Sequence, residues 1–130
     1  MKIEEIKQYE SIKDSIYNRA KEICKYIITN DLKKSKDICN KWSVDSFEID
    51  EKEVDVRIYE YWPYGGYDYH TISIDLKLFT SDNWLSLITE KTNESNKEYT
   101  RIKEEKEEKD RLYKIEQAKK ILEELEKKEK

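Results

Sequence analysis

The chain has 130 residues, enough for one domain, and 43% of them are charged while only 36% are hydrophobic. An average globular chain is about 25% charged, so part of this one is expected as an exposed helix or tail rather than as core. With 26 Lys and Arg against 30 Asp and Glu, the net charge of −4 argues against a phosphate-neutralising nucleic-acid binder and against an acidic mimic of nucleic acid.

No apolar run approaches the roughly 18–20 residues of a membrane span, and the opening Met1-Lys2-Ile3-Glu4-Glu5 has no signal-peptide apolar region. These features imply no membrane partner and a cytoplasmic location. There, Cys24 and Cys39 are expected as free thiols, each a small buried apolar residue.

In chain order, residues 2–30 read as an amphipathic helix. Ile3, Ile6, Tyr9, Ile12, Ile16, Ala20, Ile23 and Ile27 recur at three- and four-residue steps, widened by Tyr17, Cys24 and Ile28. Thr29-Asn30-Asp31 is a break, and residues 31–42 are expected as a second short helix with Leu32, Ile38, Cys39 and Trp42 as its contacts. The period then drops to two. Phe47 and Ile49 alternate with polar residues, and Asp50-Glu51-Lys52-Glu53 reads as a turn. Val54, Val56 and Ile58 alternate with Asp55, Arg57 and Tyr59.

Pro63-Tyr64-Gly65-Gly66 is a strong turn signal, followed by Ile72, Ile74, Leu76 and Leu78 in alternation. A three-stranded antiparallel meander follows. Two registers fit its second hairpin. Ile58 opposite Ile72 suits the turn, and Ile58 opposite Ile74 places Arg57 against Asp75 and Asp55 against Lys77.

Thr80-Ser81-Asp82-Asn83 offers capping side chains for a helix whose first apolar residues, Trp84, Leu85, Leu87 and Ile88, should dock on the sheet. No breaker intervenes between 84 and 130, so a single long helix is expected, held through residues 103–110 by Glu–Lys pairs. The predicted class is α+β: N-terminal helix, three-stranded antiparallel β-meander and long C-terminal helix. The predicted division is a domain over 1–95 and a charged helical extension over 96–130.

Candidate chemistry is sparse. His70 is the only histidine, which excludes a histidine-rich metal site, and no nucleophile motif accompanies it. The shorter-loop register sets it opposite Glu60, a pair that could exchange protons but that also suits a polar hairpin end. No catalytic residue, metal or cofactor is expected.

The concentrated feature is aromatic: Tyr59, Tyr61, Trp62, Tyr64, Tyr67 and Tyr69 around the turn. By parity Tyr59, Tyr61, Tyr67 and Tyr69 lie on the face away from Val54, Val56, Ile58, Ile72 and Ile74. Such residues are typical interface anchors, but they also suit a strand face covered by the protein's own helices. Acidic neighbours Asp55, Glu60, Asp68 and Asp75 argue against a groove for single-stranded bases or duplex DNA. Leu112, Ile115, Ala118, Leu122 and Leu125 form a stripe that is either a solvated helix face or a seam for another helix, a second copy included.

The strand Ile72–Leu78, the junction Phe79-Thr80-Ser81-Asp82-Asn83-Trp84-Leu85 and the Lys/Glu-rich helix to Lys130 carry a resemblance over roughly residues 54–130. Together they resemble small proteins encoded by phages and other mobile elements of AT-rich bacteria. Scarce Ala and abundant Lys, Ile, Glu, Tyr and Asn fit such a genome. The group includes anti-CRISPR-like inhibitors of host defence, which act by binding. The resemblance implies a non-enzymatic binding protein with a host protein or protein complex as partner. The other expected classes are an assembly protein oligomerising through 112–125 and a nucleic-acid-associated protein.

Overall fold

The computed structural model describes residues 1–129. Its elements are α1 (Ile3–Asn30), α2 (Leu32–Asp37), β1 (Trp42–Ile49), β2 (Glu53–Tyr61), β3 (Tyr67–Asp75), the single turn α3 (Lys77–Thr80) and α4 (Trp84–Glu129). The fold is α+β, with an antiparallel sheet in the order β1-β2-β3. The chain divides into two compact units, Met1–Ser95 and Asn96–Lys130. No described helix is long and apolar enough to cross a membrane.

The core of the first unit lies between one face of the sheet and the helices. Val54, Val56 and Ile58 of β2 and Ile72 and Ile74 of β3 meet Ala20, Ile23, Cys24 and Ile28 of α1, together with Leu78 and Ile88. Only the second half of the α1 stripe is used. A 28-residue helix is about 42 Å long, whereas a nine-residue strand spans about 30 Å. The helix therefore overhangs the sheet, and Ile3, Ile6, Tyr9 and Ile12 stay exposed. Where α1 leaves β1, Tyr9, Ile12, Ile16 and Tyr17 face Phe47 and Ile49 across an open groove of about 450 Å³.

Side chains tie the ends of the helices down. Arg19 donates to the carbonyls of Leu78 and Ser81 at 3.2 and 3.4 Å, and its guanidinium lies over the Trp84 ring. Asp31 caps α2 by accepting from the Lys34 N–H at 3.0 Å, and Ser35 Oγ donates back to the Ile28 carbonyl at 2.6 Å.

Several expectations are corrected here. The second helix ends at Asp37, so Trp42 opens β1 rather than closing a helix. Ile38 takes the buried position beyond α2, while Leu32 and Cys39 are exposed. Cys39 is therefore not a core residue. A β-bulge between Val44 and Ser46 shifts the pairing by one, which lets Val44 and Phe47 face the same side across an odd spacing.

The third strand stops at Asp75, not Leu78. The Asp75 carboxylate accepts from the Lys77 N–H at 2.9 Å, and the chain turns into α3 with Leu78 still in the core. Thr80 ends α3 instead of capping α4, whose first turn closes through the Leu87 N–H on the Asn83 carbonyl at 3.2 Å.

Neither expected hairpin register occurs. Ile58 faces His70, Val56 faces Ile72 and Val54 faces Ile74. The turn decides it. Gly65 donates to the Trp62 carbonyl and Trp62 to the Gly66 carbonyl, both at 3.1 Å, so three residues make the loop. Gly65 and Gly66 have φ of +102° and +83°, a conformation only glycine adopts readily. Arg57 then stands opposite Thr71, and Asp55 opposite Ser73, whose Oγ donates to Asp55 at 2.7 Å.

In the second unit, Arg101 pairs with Glu98 and Glu105, and Arg111 with Glu108. The ion pairs found there use Arg forks rather than the expected lysines. Leu112, Ile115, Ile121, Leu122 and Leu125 are all exposed.

Candidate interaction surface

The alternation of β2 and β3 sends Val54, Val56, Ile58, Ile72 and Ile74 inward, and it sends Tyr59, Tyr61, Tyr67 and Tyr69 to the other face. Tyr59 pairs across the strands with Tyr69, and Tyr61 with Tyr67. The rings meet edge to face, Tyr59–Tyr61 at 5.0 Å, Tyr67–Tyr69 at 5.3 Å and Tyr59–Tyr67 at 6.1 Å between centroids. This packing favours the ring quadrupoles and restricts the side chains before any partner arrives.

No helix covers this face within the first unit. Tyr61, Tyr67 and Tyr69 are exposed, Tyr67 to 55%. Arg57 lies 3.7 Å above the Tyr69 ring, a cation–π contact. The hydrogen bond with Tyr59 raises the Tyr61 phenol above its ordinary value, and the bond with Tyr67 does the same for Tyr69.

The six aromatic residues do not form one patch. Trp62 turns to the helix side of the hairpin, where its indole N–H donates to Asp68 at 2.9 Å and its ring stacks on Tyr64 at 6.1 Å. Tyr64 is 87% exposed at the tip. The structure thus separates a four-tyrosine face from a Trp62–Tyr64 tip. Arg57 belongs to the face and is not among the residues expected from the sequence. Its position two residues before Tyr59 on the same strand was the available signal.

Beneath the hairpin lies a polar cluster. Glu60 is 2% exposed on the apolar side of β2. Its Oε2 accepts from the Cys39 and Asn40 N–H groups at 3.0 and 2.9 Å and from Asn40 Nδ2 at 3.0 Å, while Oε1 lies 3.0 Å from His70 Nε2. Burial pushes the carboxyl up. The bonds from Asn40, His70 and Cys39 together outweigh it and hold Glu60 below the usual carboxylate range.

His70 is not opposite Glu60, which faces Asp68; the two meet diagonally. With Glu60 bonded through both oxygens, the cluster ties the β1 approach at Cys39 and Asn40 to β2 and β3. Among the described residues, no three His, Cys, Asp or Glu side chains are placed to hold a metal ion.

The chain matches no protein-family model, no curated protein and no solved structure.

Proposed function

We propose that the chain is a non-enzymatic protein-binding module whose contact surface is the face of Tyr59, Tyr61, Tyr67 and Tyr69 with Arg57. The observation that carries this reading is exposure. Four tyrosines and an arginine, residue types enriched at interfaces, sit pre-packed on a rigid sheet with no covering element in the first unit. The acid–base alternative is disfavoured because Glu60 is spent on four hydrogen bonds with Cys39, Asn40 and His70. A nucleic-acid groove is disfavoured by Asp45, Asp55 and Asp68 around the aromatic residues. The partner class suggested by the resemblance is a host protein complex of bacterial defence, with this chain as its phage- or mobile-element-encoded inhibitor in the host cytosol.

The test is capture of partners from bacterial lysate, followed by titration of the purified partner. Tyr61→Ala with Tyr69→Ala should weaken binding by at least about 2 kcal/mol, as hot-spot truncations do. Circular dichroism and melting temperature should be little changed. Unchanged affinity removes the tyrosine face from the interface.

The exposed stripe Leu112, Ile115, Leu122 and Leu125 favours a second reading, self-association through α4. Sedimentation equilibrium of the chain with and without Leu122→Lys tests it.

A further inference from the structure

The outer edge of β3 is open. The Leu76 N–H bonds to the Lys52 carbonyl at 2.9 Å, and the Trp62 N–H to the Gly66 carbonyl at 3.1 Å. These bonds bracket the pairs Val54–Ile74, Val56–Ile72, Ile58–His70 and Glu60–Asp68. Bonded and non-bonded pairs alternate in an antiparallel ladder. The even-numbered residues of β3 therefore bond to β2, and Tyr67, Tyr69, Thr71 and Ser73 point their N–H and C=O groups away from the sheet. Nothing among the described residues bonds to those groups. The other edge of the sheet, β1, is broken by the bulge at Asp45. The β3 edge carries no bulge, proline, lysine or arginine, and its carboxylates, Asp68 and Asp75, stand toward its two ends and leave residues 69–74 without a charged protection other than His70.

A cavity of about 410 Å³ runs beside this edge, bounded by Thr71, Ile72 and Ser73 of β3 and by α1, α2 and the first turns of α4. Ile27, Ile72 and Ile88 line it together with the buried Thr92, while Lys91, ion-paired with Asp75 at 3.1 Å, and Ser95, whose Oγ donates to Asp31 at 3.2 Å, complete its wall with Lys34. A strand added to β3 would lie about 4.8 Å outside it, and its alternate side chains would point to the helix side, into this cavity.

We propose that the β3 edge is a strand-addition site. It takes an extended segment of another protein, antiparallel or parallel to Tyr67–Asp75, with a Val, Ile or Leu side chain seated against Ile27 and Ile88. The inference rests on the protein-binding reading and supplies its mode: main-chain bonds hold the segment while the cavity and the tyrosine face select its side chains. A second copy of this chain is the poorer occupant. The inward side chains of its own β3 are already committed, Ile72 and Ile74 to its core and His70 to Glu60, so it has none free to fill the cavity.

The test uses the full chain and a displayed library of random decapeptides, with the enriched peptides then made synthetically. Thr71→Pro removes one outward N–H without touching the bonds to β2, since proline is tolerated on that side of an edge strand. Ser95→Arg narrows the cavity at its rim.

The enriched peptides should carry aliphatic residues at alternate positions and slow amide exchange at Tyr69, Thr71 and Ser73. Thr71→Pro and Ser95→Arg should each weaken them at least tenfold. Should Thr71→Pro lower the melting temperature strongly, Ser95→Arg and the exchange data decide alone. No enrichment overturns the proposal. So do peptides that bind both variants like the parent chain, and so does concentration-dependent protection of the three amides without peptide, which would mean a second copy on the edge. Peptides lost on Tyr61→Ala but kept by Thr71→Pro and Ser95→Arg would sink the edge site and leave the tyrosine-face reading standing.

Discussion

Glu60→Ala isolates the one buried charge among the described residues. The change leaves the Cys39 and Asn40 N–H groups and the Asn40 amide without their acceptor, and His70 without its carboxylate. The two backbone donors are part-buried, so water recovers some of the loss and each costs about 1 kcal/mol, the low end for an unsatisfied group. Removing the Cγ methylene along with the carboxylate from a site 2% exposed adds about 1 kcal/mol after relief of the carboxylate's own desolvation. The sum is about 3 kcal/mol, which in a domain of this size lowers the melting temperature by about 12–24 °C.

Glu60→Gln keeps an amide oxygen for the three donors on that side and should cost only about 1 kcal/mol. Its effect on pH is sharper. The folded-state pKa of Glu60 is depressed, so its stabilisation is fully present above the unfolded value of about 4.3 and is lost as pH falls through the folded value. The glutamine variant should therefore lose less stability than the parent between pH 5 and 3. Thermal melts followed by circular dichroism over that range measure both effects. A melting temperature for Glu60→Ala within about 3 °C of the parent, well under 1 kcal/mol, would refute the cluster as a structural tie.

Three further outcomes are expected. Burial pushes the Cys24 thiol up to about 12, whereas Cys39 is exposed, so iodoacetamide at pH 8 should add one adduct, on Cys39, to the native protein and two in denaturant; two native adducts would mean an open core. Deleting residues 103–130 removes no buried side chain among those described, so the truncated chain should melt cooperatively within a few degrees of the parent; an insoluble or molten product would assign those residues a packing role. In an electrophoretic shift assay at about 150 mM salt the chain should not bind duplex or single-stranded DNA, because Lys and Arg alternate with Glu and Asp within a Debye length; micromolar binding would place a nucleic-acid role first.

The elements legible in the sequence are those with uninterrupted periodicity: α1 from its three- and four-residue apolar steps, β2 from Val54, Val56 and Ile58, the hairpin from its two glycines, and α4 from the absence of a breaker. Parity alone placed Tyr59, Tyr61, Tyr67 and Tyr69 on the face away from the core. What periodicity does not encode is where a stripe runs out of partner. Ile3 and Ile12 match the pattern as well as Ile23 does, yet only Ile23 lies over the sheet, because helix and strand lengths differ by about 12 Å.

Register failed for a related reason. Matching apolar residue to apolar residue sets Ile58 against Ile72 or Ile74, which treats the inner face as uniformly greasy. Beyond Ile58 that face is polar instead. Glu60, buried, and His70, half-buried, form a polar layer that is tolerated only because Cys39 and Asn40, some twenty residues earlier in the chain, bring donors to Glu60. Once Glu60 is fixed in that layer, the three-residue glycine turn sets Tyr61 opposite Tyr67 and Tyr59 opposite Tyr69. A slip to either expected register would pair Tyr61 with Tyr69 or Thr71 instead, and it would shift the free amides of Thr71 and Ser73 relative to β2. The polar layer under the hairpin and the tyrosine face above it are thus two consequences of one register. A Glu60 substitution that loosened the hairpin should disturb partner binding through Tyr61 and Tyr69 without touching either ring, whereas truncating the rings themselves should leave the Glu60 bonds and the acid limb of stability intact.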